Sequence, residues 1–502
     1  MNESRSDARI DVVPRVAEFL SRTHRLFIGG EWRAPLAGGT AETLNPATGS
    51  TLSTYSWADE LDVEQAVDSA AIGFETWSKL TPARREAQLH AFAAVVEDRK
   101  VELAQLESLD NGKPYANAFN VETAVASSQL RYFAGWPTKI TGQTFDVSAT
   151  DFHAYTRRRP LGVCAAITPW NYSLVMAMQK IAPALAAGNS LILKPSELTP
   201  LTALYLAELS AEAGLPPGVL NVLTGDGGVV GAALSRHRGI AKVAFTGSTE
   251  VGREILRASA SNIKYSSLEL GGKSPFIIFP DADLEAASES AMWAIFANSG
   301  QNCVAGSRLF LHSSVYDEVL ERVIVGARNL VIGNGMSTGT QLGPLISRAH
   351  LDRVMSYVDQ GVAEGATLAT GGERCGGDLA DGNFMTPAVL TDVKDDSPLA
   401  REEIFGPVLC AFSFDSESEV IDRANHGDFG LAAAVWTDDL NQAHRASEAL
   451  RAGVVWVNTY DWFDPAVPFG GTGVSGLGRE LGPSAMDMYT ELKSVWVHVD
   501  HP

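Results

Sequence analysis

The chain has 502 residues, and its 60 Asp and Glu against 39 Lys and Arg give a formal net charge of −21. Binding to nucleic acid and attachment to an anionic membrane surface both need a basic face, so this acidity argues against both. A hydrophobic share of 45% with 20% charged residues is typical of a globular protein. At roughly 100–200 residues per domain, the length predicts two or three domains.

The cysteines and the N-terminus add further exclusions. Residues 1–13 carry acidic side chains and no apolar stretch, so they predict neither a secretory signal nor a transit peptide, and no apolar run reaches the ~18 residues of a membrane helix. The four cysteines, Cys164, Cys303, Cys375 and Cys410, are scattered and form no CxxC or Cys/His cluster. We therefore predict a cytoplasmic protein without a metal site or a disulfide framework.

The first half of the chain changes from helical to alternating patterns. Residues 1–20 are predicted to be a weakly ordered or peripheral lead-in. Helical signals dominate from Val63 to Leu109, and Thr81 followed by Pro82 is typical of a helix start. From Gly162 onward, short apolar runs alternate with helical segments: VCAAITP, LILKPS, NVLTG and KVAFTG. This alternation predicts βαβ units and a parallel sheet.

A second alternating region starts near Ser274, and its strand candidates are SPFIIF, RLFLH, VLCAFSF, LAAAVWT and VVWVN. It predicts a second α/β domain, with the boundary near Leu270–Lys273, and a Gly-rich exposed loop over Gly371–Asp381. In such folds the carboxyl ends of the strands share one edge of the sheet, where ligands usually bind. The candidate functional residues lie at those edges.

Two side chains are candidates for covalent chemistry. Cys303 follows the helix-stop signal Asn298-Ser299-Gly300, so it is predicted on a loop where its thiolate can meet a substrate. A buried structural cysteine is the alternative, and it fits Cys164 and Cys410 well. Glu269 precedes a Gly-Gly turn at the end of a strand, where partial burial would make it a general base for water. A solvated loop glutamate is the alternative.

Three further segments favour a dinucleotide and an oxyanion. In FTGSTEVG, Gly247 allows close backbone approach at a helix start that suits a pyrophosphate, although GxGxxG is absent. Lys194 and Glu197 follow a strand, where they are suited to ribose hydroxyls, and the acidic residue favours NAD over NADP. Asn171 ends the first strand of the alternating region, and its side-chain amide can donate to a developing oxyanion. Taken alone, two of these segments have a non-functional interpretation: FTGSTEVG is then a turn with an N-cap, and Lys194 with Glu197 is a surface ion pair.

Taken together, these segments resemble the aldehyde dehydrogenase superfamily from about residue 25 to the C-terminus. Seven of them occur in the family's order and approximate spacing: PWN, KPSE, FTGSTEVG, LELGGKSP, GQNCVAGSR, EEIFGPV and PFGG. The 34-residue separation of Glu269 and Cys303 also matches. The resemblance implies a Rossmann-like cofactor domain with a parallel sheet, a second α/β catalytic domain and a small oligomerisation β-extension.

The resemblance also implies the chemistry of an NAD-dependent, hydrolytic aldehyde dehydrogenase. Cys303 would attack the aldehyde carbonyl, and Asn171 and the Cys303 backbone N–H would hold the oxyanion. Glu269 would activate water to release the carboxylic acid, and Lys180 would assist proton movement. Transfer to coenzyme A and a catalytically idle scaffold are the rival interpretations. The residues implied to bind NAD are Ile167, Trp170, Lys194, Ser196, Glu197, Gly227, Phe245, Gly247, Ser248, Leu270, Glu403 and Phe405.

The loop from Thr459 to Phe469 is rich in aromatic residues, which favours an apolar or aromatic aldehyde. It resembles the corresponding loop of phenylacetaldehyde-type members. Aromatic side chains also bind quaternary amines, so betaine aldehyde is a competing substrate, and a core position for Trp462 and Phe463 is the structural alternative. The residues predicted to line the substrate tunnel are Tyr172, Met176, Gln179, Asn302, Val304, Trp462, Phe463 and Phe469.

The family resemblance further implies a homodimer or homotetramer, with FHAYTRRR and YTELKSVWVHV as oligomerisation strands. The second of these alternates like an edge strand, which seeks a partner. The predicted division of the chain is an N-terminal segment 1–20, an NAD-binding domain of 21–145 and 161–270, a catalytic domain of 271–475, and oligomerisation segments 146–160 and 476–502.

Overall fold

A computed structural model describes residues 8–499. Its strands, in chain order, are β1 (Thr23–His24), β2 (Leu26–Ile28), β3 (Glu31–Arg33), β4 (Thr40–Leu44), β5 (Thr51–Ser56), β6 (Thr144–Phe145), β7 (Phe152–Pro160), β8 (Val163–Ile167), β9 (Ser190–Lys194), β10 (Leu220–Val222), β11 (Lys242–Thr246), β12 (Tyr265–Glu269), β13 (Pro275–Ile278), β14 (Arg308–His312), β15 (Thr367–Thr370), β16 (Ala388–Thr391), β17 (Val408–Phe414), β18 (Phe429–Gly430), β19 (Ala432–Trp436), β20 (Val454–Val457), β21 (Thr472–Gly473), β22 (Gly476–Leu477) and β23 (Thr490–His498).

The α-helices are α1 (Pro14–Leu20), α2 (Glu60–Trp77), α3 (Pro82–Asp98), α4 (Lys100–Asn111), α5 (Tyr115–Asn117), α6 (Thr123–Ala134), α7 (Ser173–Ala187), α8 (Leu201–Glu212), α9 (Ala232–Arg236), α10 (Thr249–Ser259), α11 (Leu284–Phe296), α12 (Tyr316–Asn329), α13 (Arg348–Ala363), α14 (Pro398–Arg401), α15 (Glu417–Ala424), α16 (Leu440–Ala449) and α17 (Gly482–Met488). Short π-helical turns cover Ala118–Glu122 and Gly227–Gly231, and 3-10 turns cover Ala297–Gly300, Ser313–Val315 and Gly377–Leu379. No helix among residues 8–499 is long and apolar enough to cross a membrane.

The first large sheet has eight strands in the order β22-β12-β11-β8-β9-β10-β2-β3. Strands β12, β11, β8, β9 and β10 run parallel, with β22 and β2 antiparallel at the flanks. Every residue of β8, β9 and β11 is buried, as expected for parallel strands covered by helices on both faces. Because β8 pairs in parallel with both β9 and β11, the carboxyl ends of the three strands lie on one edge of the sheet.

The second large sheet has seven strands in the order β15-β16-β17-β14-β13-β19-β20, and all neighbours are parallel except β15 and β16. Its helices include α11 and α12, which pack side by side. With the two parallel sheets, the predicted α/β fold is confirmed.

The third sheet has three strands in the order β23-β7-β6. Strand β23 pairs antiparallel with β7 over nine residue pairs, from Thr490 opposite Pro160 to His498 opposite Phe152. Its exposed apolar side chains include Leu492 at 59% and Trp496 at 61%. The two segments that the sequence assigned to oligomerisation thus form one sheet, but the assembly itself stays a prediction.

Two predicted boundaries differ from the structure. The N-terminal segment is not peripheral throughout, because α1 packs Val16 and Phe19 into the core, where Phe19 meets Tyr205 edge to ring. At the other end, residues 476–502 do not serve the third sheet alone. Leu477 and Gly476 pair with Leu268 and Glu269, so β22 extends the first sheet. Neither α1 nor β22 is long enough for its apolar pattern to predict which part of the fold it contacts.

Candidate active site

The loop before Cys303 has an unusual backbone. Helix α11 ends at Phe296, and Asn298 and Ser299 then adopt left-handed conformations with φ of 50° and 57°. Gly300 continues with φ of 70°, and a Cβ there would lie 2.1 Å from the carbonyl oxygen of Gly406. Non-glycine residues hold such conformations only where surrounding contacts impose them, and these cluster at functional sites. The predicted helix stop is therefore a tightly constrained turn that leads from α11 into the loop carrying Cys303.

Cys303 is half-buried, whereas Cys164 and Cys410 are buried in β8 and β17. Its Sγ lies 3.9 Å from Oδ1 of Asn302. Burial raises the pKa of the Cys303 thiol, and the nearby carboxylates of Glu403, Glu269 and Asp461 raise it further. The thiol thus lies within the electrostatic reach of three acidic side chains.

Asn171 is 4% exposed and points its amide at the Cys303 loop. Its Nδ2 donates to the carbonyl of Gln301 at 2.9 Å, which uses one of the two amide hydrogens and leaves the other available. The backbone of Asn171 is fixed as well, because its carbonyl accepts from Asn298 Nδ2 at 3.0 Å and from Lys113 Nζ at 2.8 Å. The predicted oxyanion donor is therefore held at both ends.

Behind Asn171 lies a buried charge cluster that the sequence did not reveal. Lys113 is fully buried, and its Nζ also donates to Glu107 at 3.1 Å and to Glu122 at 2.7 Å. Glu107 in turn accepts from the backbone N–H groups of Ser173 and Leu174, so it caps the N-terminus of α7. This cluster fixes the start of α7, and with it Asn171.

Glu269 ends β12 and is 3% exposed. Within the described part of the chain, neither of its carboxylate oxygens accepts a hydrogen bond from a side chain, while the Gly471 N–H lies close enough to lower its pKa. A Cβ on Gly470 would lie 2.7 Å from Oε1, so only glycine lets the neighbouring chain pass. Burial raises the pKa of Glu269 well above its usual value, and the charge of Glu480 adds to this. A buried carboxyl to which no side chain donates suits a general base.

Lys180, the fourth predicted catalytic residue, belongs to a buried pair beside Glu269. Its Nζ lies 2.5 Å from Oε1 of Glu480, and both side chains are almost fully buried. Gln179 donates to the other oxygen of Glu480 at 2.8 Å. The sequence assigned Gln179 to the substrate tunnel, but it is 3% exposed and its amide is committed to Glu480. That tunnel assignment is corrected: Gln179 holds the Lys180–Glu480 pair, 300 residues apart in sequence.

The carboxyl ends of β8, β9 and β11 bring the predicted dinucleotide-binding residues together. Lys194 ends β9, is 2% exposed, and its Nζ donates to Glu197 at 3.1 Å. A Cβ on Gly227 would approach the same Nζ to 3.8 Å. Ile167 ends β8, the neighbour of β9, and Phe245 lies one residue before the end of β11, on the other side of β8. Ser196 lies between Lys194 and Glu197, and its Oγ accepts from the Leu198 N–H.

Gly247 and Ser248 form the turn into α10. A Cβ on Gly247 would lie 2.4 Å from the ring of Phe245, so a larger residue would push that ring away. Ser248 is exposed and caps α10 by accepting from the Val251 N–H. An exposed helix N-terminus beside a glycine is a favourable position for a phosphate.

Glu403 faces the Gly271–Gly272 turn from the second domain. Its Oε1 accepts from the Gly272 N–H at 3.0 Å, and a Cβ on Gly271 would lie 2.2 Å from Oε2. Burial raises the pKa of Glu403 to about 7. The buried Leu270 begins the same turn.

Phe405, two residues after Glu403, has φ of 63°, and its carbonyl is 2.7 Å from a ring nitrogen of His350. Its ring stands edge to ring against Trp170 with centroids 5.3 Å apart. Trp170 and Phe405 therefore meet across the two domains, on the side where Glu403 lies.

The remaining predicted tunnel residues differ in their exposure to solvent. Trp462 is 76% exposed and Phe463 is 40% exposed, so these two aromatic side chains are not core residues. Phe463 contacts the buried Phe469 with ring centroids 5.4 Å apart. The others are Tyr172 and Met176, both half-buried on or beside α7, and Asn302 and Val304, both buried beside Cys303.

Several residues of the site carried no sequence signal. Asp461 is the clearest case: its Oδ2 accepts from Asn302 Nδ2 at 3.5 Å, and its φ is 59°. Surrounding protein raises the pKa of this carboxyl to about 7. Asn298 was used only as a helix-stop signal, and Glu480 lies on a loop far from Lys180 in sequence. Long-range partners of this kind have no periodicity or motif that announces them.

Comparison with known proteins gives consistent results. Residues 32–495 match the model of the aldehyde dehydrogenase family. The phenylacetaldehyde dehydrogenase of Pseudomonas fluorescens is 46% identical over 480 residues, 94% of this chain and 95% of that protein. The NAD+ complex of an aldehyde dehydrogenase from Bacillus cereus superposes with a TM-score of 0.96 at 47% identity, covering 98% of this chain and 100% of that one. A betaine aldehyde dehydrogenase from Staphylococcus aureus in complex with NAD+ superposes with a TM-score of 0.95 at 37% identity, covering 99% of both chains.

Proposed function

The chain belongs to the aldehyde dehydrogenase family, and we propose that it oxidises an apolar or aromatic aldehyde to the carboxylic acid by a covalent route through Cys303. The predicted enzyme class is confirmed, and so is the predicted cofactor, NAD. The observation that carries the covalent route is the pairing of a constrained loop cysteine with Glu269, a buried carboxyl that accepts no side-chain hydrogen bond among the described residues.

The residues at the strand ends fit NAD. Lys194 and Glu197 offer a donor and an acceptor for the hydroxyls of the adenosine ribose, and Glu197 would repel a 2′-phosphate. Gly247 and Ser248 hold the pyrophosphate at the start of α10. Glu403 binds the nicotinamide ribose from the second domain. The other cofactor contacts are assigned to Ile167, Trp170, Ser196, Gly227, Phe245, Leu270 and Phe405.

The first half of the reaction takes place on Cys303. Its thiolate attacks the aldehyde carbon and forms a thiohemiacetal, while the free amide hydrogen of Asn171 and the Cys303 backbone N–H bind the oxyanion. When bound, NAD supplies the acceptor for the hydride that leaves this carbon, and a thioester remains on Cys303. Because burial and neighbouring carboxylates raise the pKa of the thiol, this step is favoured at alkaline pH.

The second half of the reaction depends on Glu269. Its carboxylate removes a proton from water, the water oxygen attacks the thioester carbon, and the carboxylic acid leaves as Cys303 regains its thiol. The Lys180–Glu480 pair beside Glu269 takes part in moving that proton away. Because water activated by Glu269 removes the acyl group from Cys303, this mechanism needs no coenzyme A as the acyl acceptor.

The aromatic residues at the tunnel mouth support the substrate assignment. Trp462 and Phe463 are exposed there, where they can bury and stack on an apolar substrate. The similarity to a phenylacetaldehyde dehydrogenase favours an aromatic aldehyde. Betaine aldehyde remains the second candidate, because exposed aromatic faces also bind a quaternary amine and a betaine aldehyde dehydrogenase is among the structural relatives.

We also propose that the chain forms a homodimer or homotetramer through the third sheet and works in the cytoplasm. The exposed apolar side chains of β23 support assembly. The four free cysteines are those expected in a reducing compartment.

The catalytic assignment is tested by two substitutions. Cys303→Ala removes the nucleophile, so NADH formation falls to background with every aldehyde. Glu269→Gln keeps the first half of the reaction, so a burst of NADH persists while steady-state turnover falls by about 100-fold to 10,000-fold. Both are measured by stopped-flow and steady-state absorbance of NADH, with bound NAD measured by fluorescence as the control for folding.

Two outcomes would contradict this mechanism. Full steady-state turnover in Glu269→Gln would remove the base assignment, and NADH formation by Cys303→Ala would remove the nucleophile. The product is identified with and without coenzyme A, and an acyl-CoA product would replace hydrolysis by thiol transfer.

A further inference from the structure

Asp461 is an acidic side chain that the proposed chemistry does not use. It lies in the loop from Thr459 to Phe469 and is exposed, whereas its neighbour Tyr460 and its hydrogen-bond donor Asn302 are each 7% exposed. Protein nevertheless surrounds the carboxyl closely enough to raise its pKa to about 7.

One residue, Asn302, lies between the Asp461 carboxyl and the Cys303 nucleophile. Asp461 Oδ2 lies 3.5 Å from Asn302 Nδ2, and Asn302 Oδ1 lies 3.9 Å from Cys303 Sγ. Its charge also reaches the thiol, since it contributes to the raised pKa of Cys303. Asp461 is therefore separated from the reacting sulfur by a single side chain, that of Asn302.

The carboxyl has unused capacity for hydrogen bonds. Among residues 8–499, the long contact from Asn302 is the only hydrogen bond that its oxygens accept, and no Lys, Arg or His lies within 4.0 Å. Tyr460, the next residue, is not available to it, because its hydroxyl donates to the Val304 carbonyl. An ionised carboxylate can accept about four hydrogen bonds. Most acceptor positions of Asp461 are therefore available to a ligand.

The backbone at Asp461 directs this side chain. Its φ of 59° is left-handed, a conformation that Asp and Asn adopt more readily than other residues with a side chain. The next residue, Trp462, is 76% exposed. The loop thus presents an exposed aromatic side chain directly beside this acid.

We propose that Asp461 determines substrate specificity by accepting a hydrogen bond from an N–H or O–H group at the end of the substrate remote from the aldehyde. This inference rests on the proposed aldehyde oxidation and narrows its substrate class to aldehydes with an apolar body and a donor end. A hydroxyl group and a protonated amine share this chemistry. Both would bind to a carboxyl that lies within electrostatic reach of Cys303, as Glu269 and Glu403 do.

The test is a comparison of kcat/KM between matched aldehydes in Asp461→Asn. Asn keeps the size of the side chain and tolerates the left-handed backbone, so the loop is retained. The pairs are phenylacetaldehyde with 4-hydroxyphenylacetaldehyde, and pentanal with 4-aminobutanal. Asp464→Asn is the control, because it removes the same charge from the same loop, where Asp464 accepts only from the Ala466 N–H.

The expected result is a selective loss. Asp461→Asn lowers kcat/KM for the hydroxyl and amino substrates by about tenfold to 100-fold, the usual contribution of a hydrogen bond to a charged group, and leaves phenylacetaldehyde and pentanal within twofold. Asp464→Asn changes none of the four. A greater loss for the amine than for the phenol identifies the cation as the better ligand.

Other outcomes overturn the proposal. An equal loss for all four aldehydes makes Asp461 a structural residue of the loop, and no loss leaves it without a role in recognition. An equal loss with betaine aldehyde, a cation without an N–H donor, replaces hydrogen bonding by simple charge attraction. If wild-type enzyme oxidises none of these aldehydes, the proposed function fails instead, so the two failures are distinguishable.

Discussion

At the scale of single residues, carboxyl groups are the main determinants of this site. Glu269, Glu403 and Asp461 all surround Cys303, and burial raises the pKa of each one. A raised pKa means that the protonated form is favoured in the folded state. The site therefore holds acids that are easier to keep neutral than ordinary surface carboxylates, which suits residues that exchange protons or accept hydrogen bonds during a reaction.

Glu403 makes this property measurable as stability. Its folded-state pKa of about 7 exceeds the usual 4.5, so its contribution to folding is fully present below about pH 4.5 and is lost as the pH rises through 7. Glu403→Gln removes the ionisation and keeps an acceptor for the Gly272 N–H. We expect the melting temperature of the variant to exceed that of the wild type at pH 8, with the difference shrinking towards pH 4.5.

Differential scanning calorimetry across that pH range, without cofactor, provides the measurement. Glu402→Gln, which neutralises the exposed neighbouring residue, is the control and should show no such convergence. A variant that melts below the wild type at pH 8 would mean that the pKa of Glu403 is lowered in the folded state.

At the scale of elements, the start of α7 connects a buried charge cluster to the oxyanion donor. Lys113 binds Glu107, Glu122 and the Asn171 carbonyl, and Glu107 caps α7. Lys113→Met would leave two buried carboxyls without their cation. We expect a loss of about 3–5 kcal/mol in the free energy of unfolding, measured by urea denaturation.

The same variant has a catalytic consequence that stability alone does not explain. Where the variant remains folded, kcat falls because Asn171 loses its backbone anchor, while the affinity for NAD is unchanged. Combining Lys113→Met with Asn171→Ala checks this, since an effect that acts through Asn171 adds little to Asn171→Ala. Full additivity of the two losses in kcat would separate the cluster from the oxyanion donor.

Elements and local motifs were the predictable part of this protein. Thr81-Pro82 starts α3, Asn298-Ser299-Gly300 ends the helix before Cys303, and the strands of both sheets follow their apolar runs. What could not be predicted are contacts between distant segments, such as Lys180 with Glu480. A buried salt bridge needs only one residue at each end, so it leaves no pattern in the sequence. For the same reason Gln179 was assigned to the tunnel although its amide binds Glu480.

At the scale of the whole molecule, the third sheet is the surface that most needs a partner. Strand β23 has β7 on one side and presents Leu492 and Trp496 to solvent. Exposed apolar side chains on an edge strand favour association. We expect Trp496→Asp to shift the protein from the proposed dimer or tetramer to a smaller species, measured by light scattering after size-exclusion chromatography.

Trp32 gives a matched control for that measurement. It is also an exposed tryptophan, at 37%, but it lies on β3 at the edge of the first sheet. Trp32→Asp should leave the molar mass unchanged. A mass that is unchanged in Trp496→Asp as well, or that changes equally in both, would exclude the third sheet as the interface.

The pairing of β12 with β22 has a consequence for synthesis on the ribosome. Glu269 ends β12, whose edge is completed by Gly476 and Leu477, and the Gly271 carbonyl accepts from Ser475, 204 residues further along the chain. A nascent chain in which most of both large sheets has been translated still lacks β22. That strand covers the edge of β12, which carries Glu269. We therefore expect a chain that stops before Ser475 to lack activity, because the edge of β12 beside Glu269 stays uncovered.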